Sequence, residues 1–400
     1  MDKKEKILIK GLFKIFGEKP AVALKMLRQG SSKEEILAET GMTIGVQDAD
    51  FCIYEGEIFV VMGLSGSGKS TLVRMLNRLI EPTAGNIFLD GEDIASMSSE
   101  AIKNVRRKKI SMVFQSFALM PHLTVIENAA FGLEMTGIKK IEREALALAA
   151  LEQVGLEKWA FSMPDELSGG MKQRVGLARA LAVNPDVLLM DEAFSALDPL
   201  IRAEMQDELI KLQKKNKRTI VFISHDLDEA MRIGDRIAIM EGGRIVQVGT
   251  PEDILQNPAD DYVRAFFRGV DPTLILTAKD IALKNQVTIK LRPGNGPRTA
   301  LQRLIQHERD YIYIIDENEI FKGVLQRDEL IEMADAGMKE IHETHLKPAA
   351  SAFGSDSMQE VLPLLIDNPY PIPVTDNDGT YLGTVSKNLF LRTMHKGGQA

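Results

Sequence analysis

The chain has 400 residues, with 49 Lys and Arg against 57 Asp and Glu, a formal net charge of −8 at pH 7, and 44% hydrophobic residues. Its length is that of two or three domains, its composition excludes a mostly disordered chain, and its acidity argues against a general nucleic-acid binder, which needs excess Lys and Arg to neutralise phosphates. The single cysteine, Cys52, excludes an intrachain disulfide framework and a cysteine-cluster metal site, and fits a reducing compartment.

No apolar stretch follows the basic start MDKKEKILIK, so no secretory signal is read there. Residues 7–16 (ILIKGLFKIF) form a strand-like run. Residues 20–41 are expected to be helical, and Ser32 followed by Glu35 has the spacing of a capping box that opens a second short helix ending near Gly41. From Phe51 to Met62 the pattern is strand, turn, strand. A glycine-rich stretch at 63–68 follows, then TLVRMLNRLI with helical periodicity. Residues 100–109 predict a charged helix, and its basic run Arg106–Lys109 is assigned no function. ISMVFQ (110–115) is read as a strand, and 140–155 as a helix rich in Ala, Leu and Glu. LSGG at 167–170 opens a further helix, and VLLMDE at 187–192 is an apolar strand ending in two acids, the mark of a buried parallel strand. A helix over 201–215, the strand TIVFISH (219–225) and a hairpin around Gly242-Gly243 complete an alternating α/β pattern with a mainly parallel sheet. The longest apolar runs, such as Ile58–Met62, fall far short of the roughly 20 residues a spanning helix needs, so any action at a membrane is expected to pass through a partner.

After about residue 270 the character changes. An offset of 60 positions superposes Leu301 on Val361, Leu304 on Leu364, Ile314 on Val374, Asp316 on Asp376 and Gly323 on Gly383. Each copy reads as helix, strand, acidic turn, glycine-containing strand, helix, and two such copies are expected to bury against each other the face that neither buries alone.

Three constellations carry chemistry. Gly63-Leu64-Ser65-Gly66-Ser67-Gly68-Lys69-Ser70, with Thr71 after it, matches G-x-x-x-x-G-K-[ST] between a strand and a helix. Glycines let the backbone curl so that N–H groups face phosphate oxygens, and the helix adds its positive end. Lys69 is then expected to reach the β and γ phosphates, and Ser70 to ligate Mg²⁺. Second, Asp191 at the end of a buried strand suits Mg²⁺, usually held through water, and Glu192 suits polarising the attacking water. Third, Leu167-Ser168-Gly169-Gly170-Met171 lies upstream of that strand; alone, it reads as a helix cap.

Together these resemble the ATP-binding cassette family of transport ATPases, whose signature is L-S-G-G-Q; Met171 stands here in place of the Gln. The resemblance implies a P-loop nucleotide-binding domain with a RecA-like core, a helical subdomain and an antiparallel β subdomain. It also implies further site residues. Gln115 matches the glutamine that contacts Mg²⁺ and the attacking water. Asp198, in Ser195-Ala196-Leu197-Asp198, matches the loop that crosses a dimer interface, and His225 the switch histidine at the γ-phosphate. Phe16 sits where an aromatic stacks on adenine, with Phe13 as the competing candidate. By the same resemblance, two copies pair head to tail, and the 168–170 turn of one covers the ATP held by the other.

The segment at 17–45 and the C-terminal repeat, which resembles a tandem pair of cystathionine-β-synthase (CBS) domains, narrow the likeness. Both are similar to the ATP-binding subunits of bacterial glycine betaine/L-proline importers. The implied organisation is an ATPase domain at 1–270, with a helical insert at 17–45 and a helical subdomain at about 115–180, then CBS repeats at 271–345 and 346–400. The implied partners are an integral membrane permease, met through Phe117–Asn128, and, indirectly, a substrate-binding protein, with the chain peripheral on the cytoplasmic face of the membrane. An importer for another solute such as choline or carnitine, and a soluble non-transport ATPase, are the alternatives. In the repeats, the adenosine-binding pattern G-x-x-T-x-x-D is broken: Gln326 and Glu329 stand in the first copy, Ser386 and Leu389 in the second. The basic residues Lys279, Lys284, Lys290, Arg292, Arg298 and Arg303 read first as a solvated face, with contact to anionic lipid as the alternative.

Overall fold

The computed structural model describes residues 4–114, 118–195, 197–267, 276–292, 294–346 and 349–397. Two compact units result, Met1–Arg264 and Ala265–Ala400.

The first unit opens with β1 (Glu5–Phe16), a helical pair α1 (Pro20–Arg28) and α2 (Lys33–Thr40), and β2 (Thr43–Tyr54). The capping box expected at Ser32 and Glu35 is formed, with Glu35 N–H donating to Ser32 Oγ and Ser32 N–H to Glu35 Oε2, and Gly41 ends α2 at φ +66°. The strand read from Phe51 onward begins eight residues earlier, at Thr43, so Thr43–Gly45 belong to a strand and not to the helical insert. The central run is β3 (Ile58–Met62), the glycine loop and α3 (Lys69–Leu76), then β4 (Ala84–Leu89), β5 (Glu92–Asp93), α4 (Ser99–Lys108) and β6 (Ile110–Val113). A helical group follows: α5 (Val125–Met135), α6 (Lys140–Gln153) and α7 (Gly169–Ala182). The chain then returns through β7 (Val187–Asp191), α8 (Pro199–Asn216), β8 (Thr219–Ile223), α9 (Leu227–Ile233), β9 (Arg236–Glu241), β10 (Arg244–Gly249), α10 (Pro251–Gln256) and α11 (Asp261–Phe266).

Two sheets share one core. The first has the order β2-β1-β4-β5 and is antiparallel; the second runs β10-β9-β3-β8-β7-β6, parallel except for β10 at its edge. Every residue of β3, β7 and β8 is buried, as expected for strands covered on both faces. The turn between β2 and β3 therefore joins two sheets, and the Phe51 and Phe59 rings on either side of it stack at 5.3 Å. The helical pair has a small core of its own, Ile15, Ala23, Ile36, Met42 and Ile44, which fastens it to β1 and β2.

The second unit contains α12 (Ala278–Ile281), β11 (Thr288–Lys290), α13 (Pro297–Gln306), β12 (Tyr311–Ile315), β13 (Phe321–Gln326) and α14 (Arg327–Asp335). Then come β14 (Ala352–Phe353), α15 (Met358–Asp367), β15 (Ile372–Thr375), β16 (Tyr381–Val385) and α16 (Lys387–Gly397). The repeat expected from the 60-residue offset is present as two equivalent three-stranded sheets, β11-β12-β13 and β14-β15-β16. Aromatic side chains join the copies: Tyr313 lies 6.0 Å from Tyr381, and its hydroxyl donates to the Pro371 carbonyl at 2.6 Å. Burial pushes both phenols above the ordinary tyrosine range. Residues 276–283, placed in the first copy by sequence, exchange backbone hydrogen bonds with the second. Ala278 N–H donates to Asp356, Met358 N–H to Leu276, and Leu283 and Thr384 bond reciprocally.

Candidate functional site

The glycine loop is shaped by two close approaches. Gly63 has φ +148°, and a Cβ there would lie 2.0 Å from the Met240 carbonyl oxygen; Gly68 has φ +102°, and its Cβ would lie 2.2 Å from that of Gly45. Both positions demand glycine on backbone conformation and on space. Lys69, in the first turn of α3 and only 5% exposed, donates from Nζ to the carbonyls of Gly63 and Leu64 at 2.9 Å each, which holds its ammonium across the loop. Burial lowers its pKa below the lysine range, and the Glu192 and Asp191 carboxylates act against that shift.

Asp191 ends β7 at 2% exposure. Its Oδ1 accepts from Ser70 Oγ at 2.8 Å, and its Oδ2 takes Arg74 through Nε (3.0 Å) and Nη2 (2.8 Å). The next residue, Glu192, turns into the left-handed region at φ +47°, an uncommon conformation for a residue with a side chain. That turn carries its carboxylate out of the strand line and to 4.0 Å from His225 Nδ1. Ser70 and Asp191 present oxygen donors side by side, which suits Mg²⁺, a hard cation that takes few protein ligands and fills the rest with water and phosphate. Among the described residues no cluster of three His, Cys, Asp or Glu exists that would suit a dedicated metal cage.

Phe16, at the end of β1 opposite Thr43, is 41% exposed. Its ring lies over Gly45, where a Cβ would sit 2.7 Å from Phe16 Cε2 and 3.4 Å from Thr71 Cγ2. An exposed aromatic ring is thus placed beside the residue that follows Ser70. Phe13, by contrast, is buried at 8% exposure under the Arg28 guanidinium.

A family model for the ABC transporter matches residues 46–195. The glycine betaine/proline betaine transport system ATP-binding protein ProV of Escherichia coli (strain K12) is 57% identical over 394 residues, covering 98% of this chain and 98% of that one. The glycine betaine transport ATP-binding protein OpuAA of Bacillus subtilis (strain 168) is 50% identical, covering 98% of this chain and 92% of its own. The ATP-binding cassette MJ0796, solved as a dimer in a post-hydrolysis state with ADP and Pi, is 31% identical with a TM-score of 0.52, over 61% of this chain and 98% of that one. The chain belongs to the ABC transporter family of ATP-binding proteins.

As an ABC ATPase it has the α/β cassette fold expected from its motifs, and it binds ATP. The structure gathers Lys69, Ser70, Asp191, Glu192 and His225 in one place, with Phe16 and Thr71 at its margin. Ser168 caps α7, accepting from Met171 N–H at 3.3 Å, and Asp198 caps α8, accepting from Ile201 N–H at 3.1 Å. These two helix starts meet each other: a Cβ on Gly170 would lie 2.6 Å from Ile201 Cγ2. Among the described residues no hydrogen bond ties 168–170 to the 63–71 loop. Gln115 and Phe117 lie outside the described residues.

Sequence reasoning missed Arg74 and Gly45. The spacing of Arg74, four residues after Ser70 on α3, places both on one helix face, so that signal was present; Gly45 looked like an ordinary strand glycine.

The two phenylalanines separate cleanly by substitution. Phe16→Ala is expected to raise the KM for ATP about tenfold, since stacking a base on an aromatic ring is worth about 1–3 kcal/mol. Phe13→Ala is expected to leave KM near wild type and to cost about 3–5 kcal/mol of stability by emptying a buried site. ATPase kinetics with chemical denaturation of both variants check this, and a KM response in Phe13→Ala alone would reverse the assignment.

Proposed function

We propose that this chain energises uptake of glycine betaine, and of proline betaine or L-proline, through a separate integral membrane permease. The carrying observation is 57% identity to ProV along 98% of both chains, a likeness that extends through the C-terminal repeat. We assign that repeat to tandem CBS domains at 271–345 and 346–400, after an ATPase domain at 1–270 with its insert at 17–45 and helical subdomain at about 115–180.

In this reading the backbone of Gly63–Thr71 and Lys69 hold the phosphates, and Phe16 stacks on adenine. Ser70, Asp191 and Gln115 hold Mg²⁺, Glu192 polarises the attacking water, and His225 steadies the γ-phosphate. Ser168, Gly169, Gly170 and Asp198 act across a homodimer on the partner's ATP. The dimeric state of MJ0796 with ADP and Pi supports such a two-chain site, and among the described residues no hydrogen bond joins the 168–170 turn to the 63–71 loop of the same chain. Positive helix ends on both sides then clamp one anion. In the same reading the chain is peripheral, on the cytoplasmic face of the membrane, and meets the permease through 117–128; no described helix is long and apolar enough to cross a membrane. Asn128 suits that surface: its side-chain amide bonds the backbone of Met120, Leu123 and Thr124 and braces the segment ahead of α5.

The CBS pair is not assigned an adenosine site. Glu329, near the position of the ribose-binding acid, instead accepts from Gln326 N–H at its own helix start. In the basic cluster, Lys290 lies 3.9 Å from the Glu319 carboxylate and Arg303 donates to the Thr288 carbonyl, so both side chains have partners within the first repeat.

The test is labelled-solute uptake in vesicles holding this chain with its permease and binding protein. ATP-dependent accumulation of glycine betaine is expected, lost in Lys69→Ala. Accumulation of choline or carnitine with no glycine betaine uptake would shift the substrate, and uptake indifferent to Lys69→Ala would overturn the energising role.

A further inference from the structure

Both residues flanking His225 are tied down from behind. Asp226 caps α9, accepting Glu229 N–H on Oδ1 at 3.2 Å, and its Oδ2 takes Arg202 Nη1 at 3.3 Å. Ser224 is buried; it accepts Asp226 N–H at 2.9 Å and its hydroxyl donates to the Glu229 carboxyl. Glu229 also accepts from Gln206 Nε2 of α8 at 3.0 Å, and burial holds its pKa above the usual carboxylate range. The switch loop is thus fastened to α8 at two points.

Arg202 reaches in a second direction as well. Its Nη2 donates to the carbonyls of Leu197 (3.1 Å) and Ser195 (3.4 Å). Ser195 in turn donates to the Glu192 carbonyl from its N–H (3.2 Å) and its Oγ (2.9 Å). One guanidinium therefore spans the loop that carries Glu192 and the loop that carries His225, whose side chains stand 4.0 Å apart. A planar fork with donors on separate nitrogens holds two loops at once; an ammonium is a single point of charge without that shape.

We propose that Arg202 is a positioning residue for hydrolysis, tying the Ser195 and Leu197 carbonyls to Asp226 and so fixing the separation of Glu192 and His225. Arg202 and Asp226 are partly exposed, at 23% and 35%, and ion pairs of that kind add little to stability. Reaction rates are far more sensitive, because a displacement of about 1 Å at the reacting groups costs up to about a hundredfold. The clamp is therefore expected to act on turnover more than on folding. This inference rests on the roles assigned above to Glu192 and His225.

The experiment measures ATPase kinetics, ATP affinity and thermal stability on the full-length chain carrying Arg202→Ala, Arg202→Lys, Asp226→Asn, or Arg202→Ala with Asp226→Asn. The expected result is a fall in kcat of about tenfold for Arg202→Ala, with KM and Tm near wild type. Arg202→Lys should recover part of the loss. Asp226→Asn retains an oxygen for the α9 cap but loses the charge pair, so it should lower kcat in the same direction, and the double variant should be little worse than the worse single one. If Arg202→Ala does not fold, the Lys and Asn variants decide by the same readouts. A kcat within twofold of wild type, or a loss matched by raised KM and lowered Tm, would overturn the clamp. Glu192→Gln and His225→Ala serve as references. If either turns over like wild type, the site assignment fails whatever Arg202 does; if both are inactive and Arg202→Ala is not slowed, only the clamp fails.

Discussion

Glu192→Gln should bind ATP, lose about 10²–10⁴-fold in hydrolysis, and accumulate as an ATP-bound dimer. The substitution keeps the shape of the side chain and exchanges a carboxylate, which accepts a proton from water, for an amide, which does not. It also removes a negative charge from beside the place of the γ-phosphate, so repulsion falls and affinity for ATP is held or improved. The backbone should keep its course, because the left-handed turn at φ +47° is fixed by the Ser195 N–H and Oγ bonds to the Glu192 carbonyl, which the amide leaves alone. Phosphate release together with size-exclusion chromatography in ATP and Mg²⁺ gives both readouts on one sample. Turnover within threefold of wild type would move the base role to another residue.

How much of this was legible in the sequence depended on the range of the interaction responsible. The Ser32–Glu35 capping box needs only a four-residue window, and the structure forms it. The buried strands β3, β7 and β8 are read from unbroken apolar runs, since covering both faces removes alternation. β11 and β14, three and two residues long, are too short to show any period and went unread. The start of β2 was hidden by Gly45 and by Asp48, a non-glycine residue at φ +48° that breaks the strand pattern. Periodicity is also silent about which sheet a strand joins, so the assignment of β2 and β3 to different sheets came only with the structure. The attachment of residues 276–283 to the second repeat was invisible for a similar reason: its hydrogen bonds link positions about 75–100 residues apart.

The candidate site divides along the same line. Gly63–Ser70 were legible because the chemistry of a phosphate loop fixes residue types at fixed spacings, Asp191 and Glu192 because an apolar strand ends in acids after such a loop, and His225 only through the order of motifs in the family it resembles. The choice between Phe16 and Phe13 was not, since both are aromatics on one strand. It turns on Gly45, 29 residues beyond Phe16 across the helical pair, whose missing side chain makes room for that ring beside Thr71. Arg202 was equally silent: an arginine on a helix is ordinary until its two partner loops are seen converging on it.

Gly68→Ala is expected to abolish measurable ATP binding, whereas Gly66→Ala should leave a folded protein with a modest loss of affinity. Both glycines have positive φ, +102° and +79°, so backbone preference alone treats them alike. Space separates them. A Cβ on Gly66 meets nothing within 4 Å, so that change costs about 1–2 kcal/mol of conformational strain. A Cβ on Gly68 lies 2.2 Å from the Gly45 carbonyl oxygen and 2.9 Å from Met240 Cε. The methionine end can swing away, but the carbonyl belongs to β2 and cannot retreat without pulling that strand from its neighbours. The loop must therefore move off β2, adding about 1–3 kcal/mol of overpacking to the backbone strain and displacing the N–H groups proposed above to hold the phosphates. A shift near 1 Å in such a cradle costs up to about a hundredfold in function. Titration with a fluorescent ATP analogue and urea denaturation of both variants distinguish strain from crowding. Affinity within threefold of wild type in Gly68→Ala would show that the loop holds phosphate by a different backbone path.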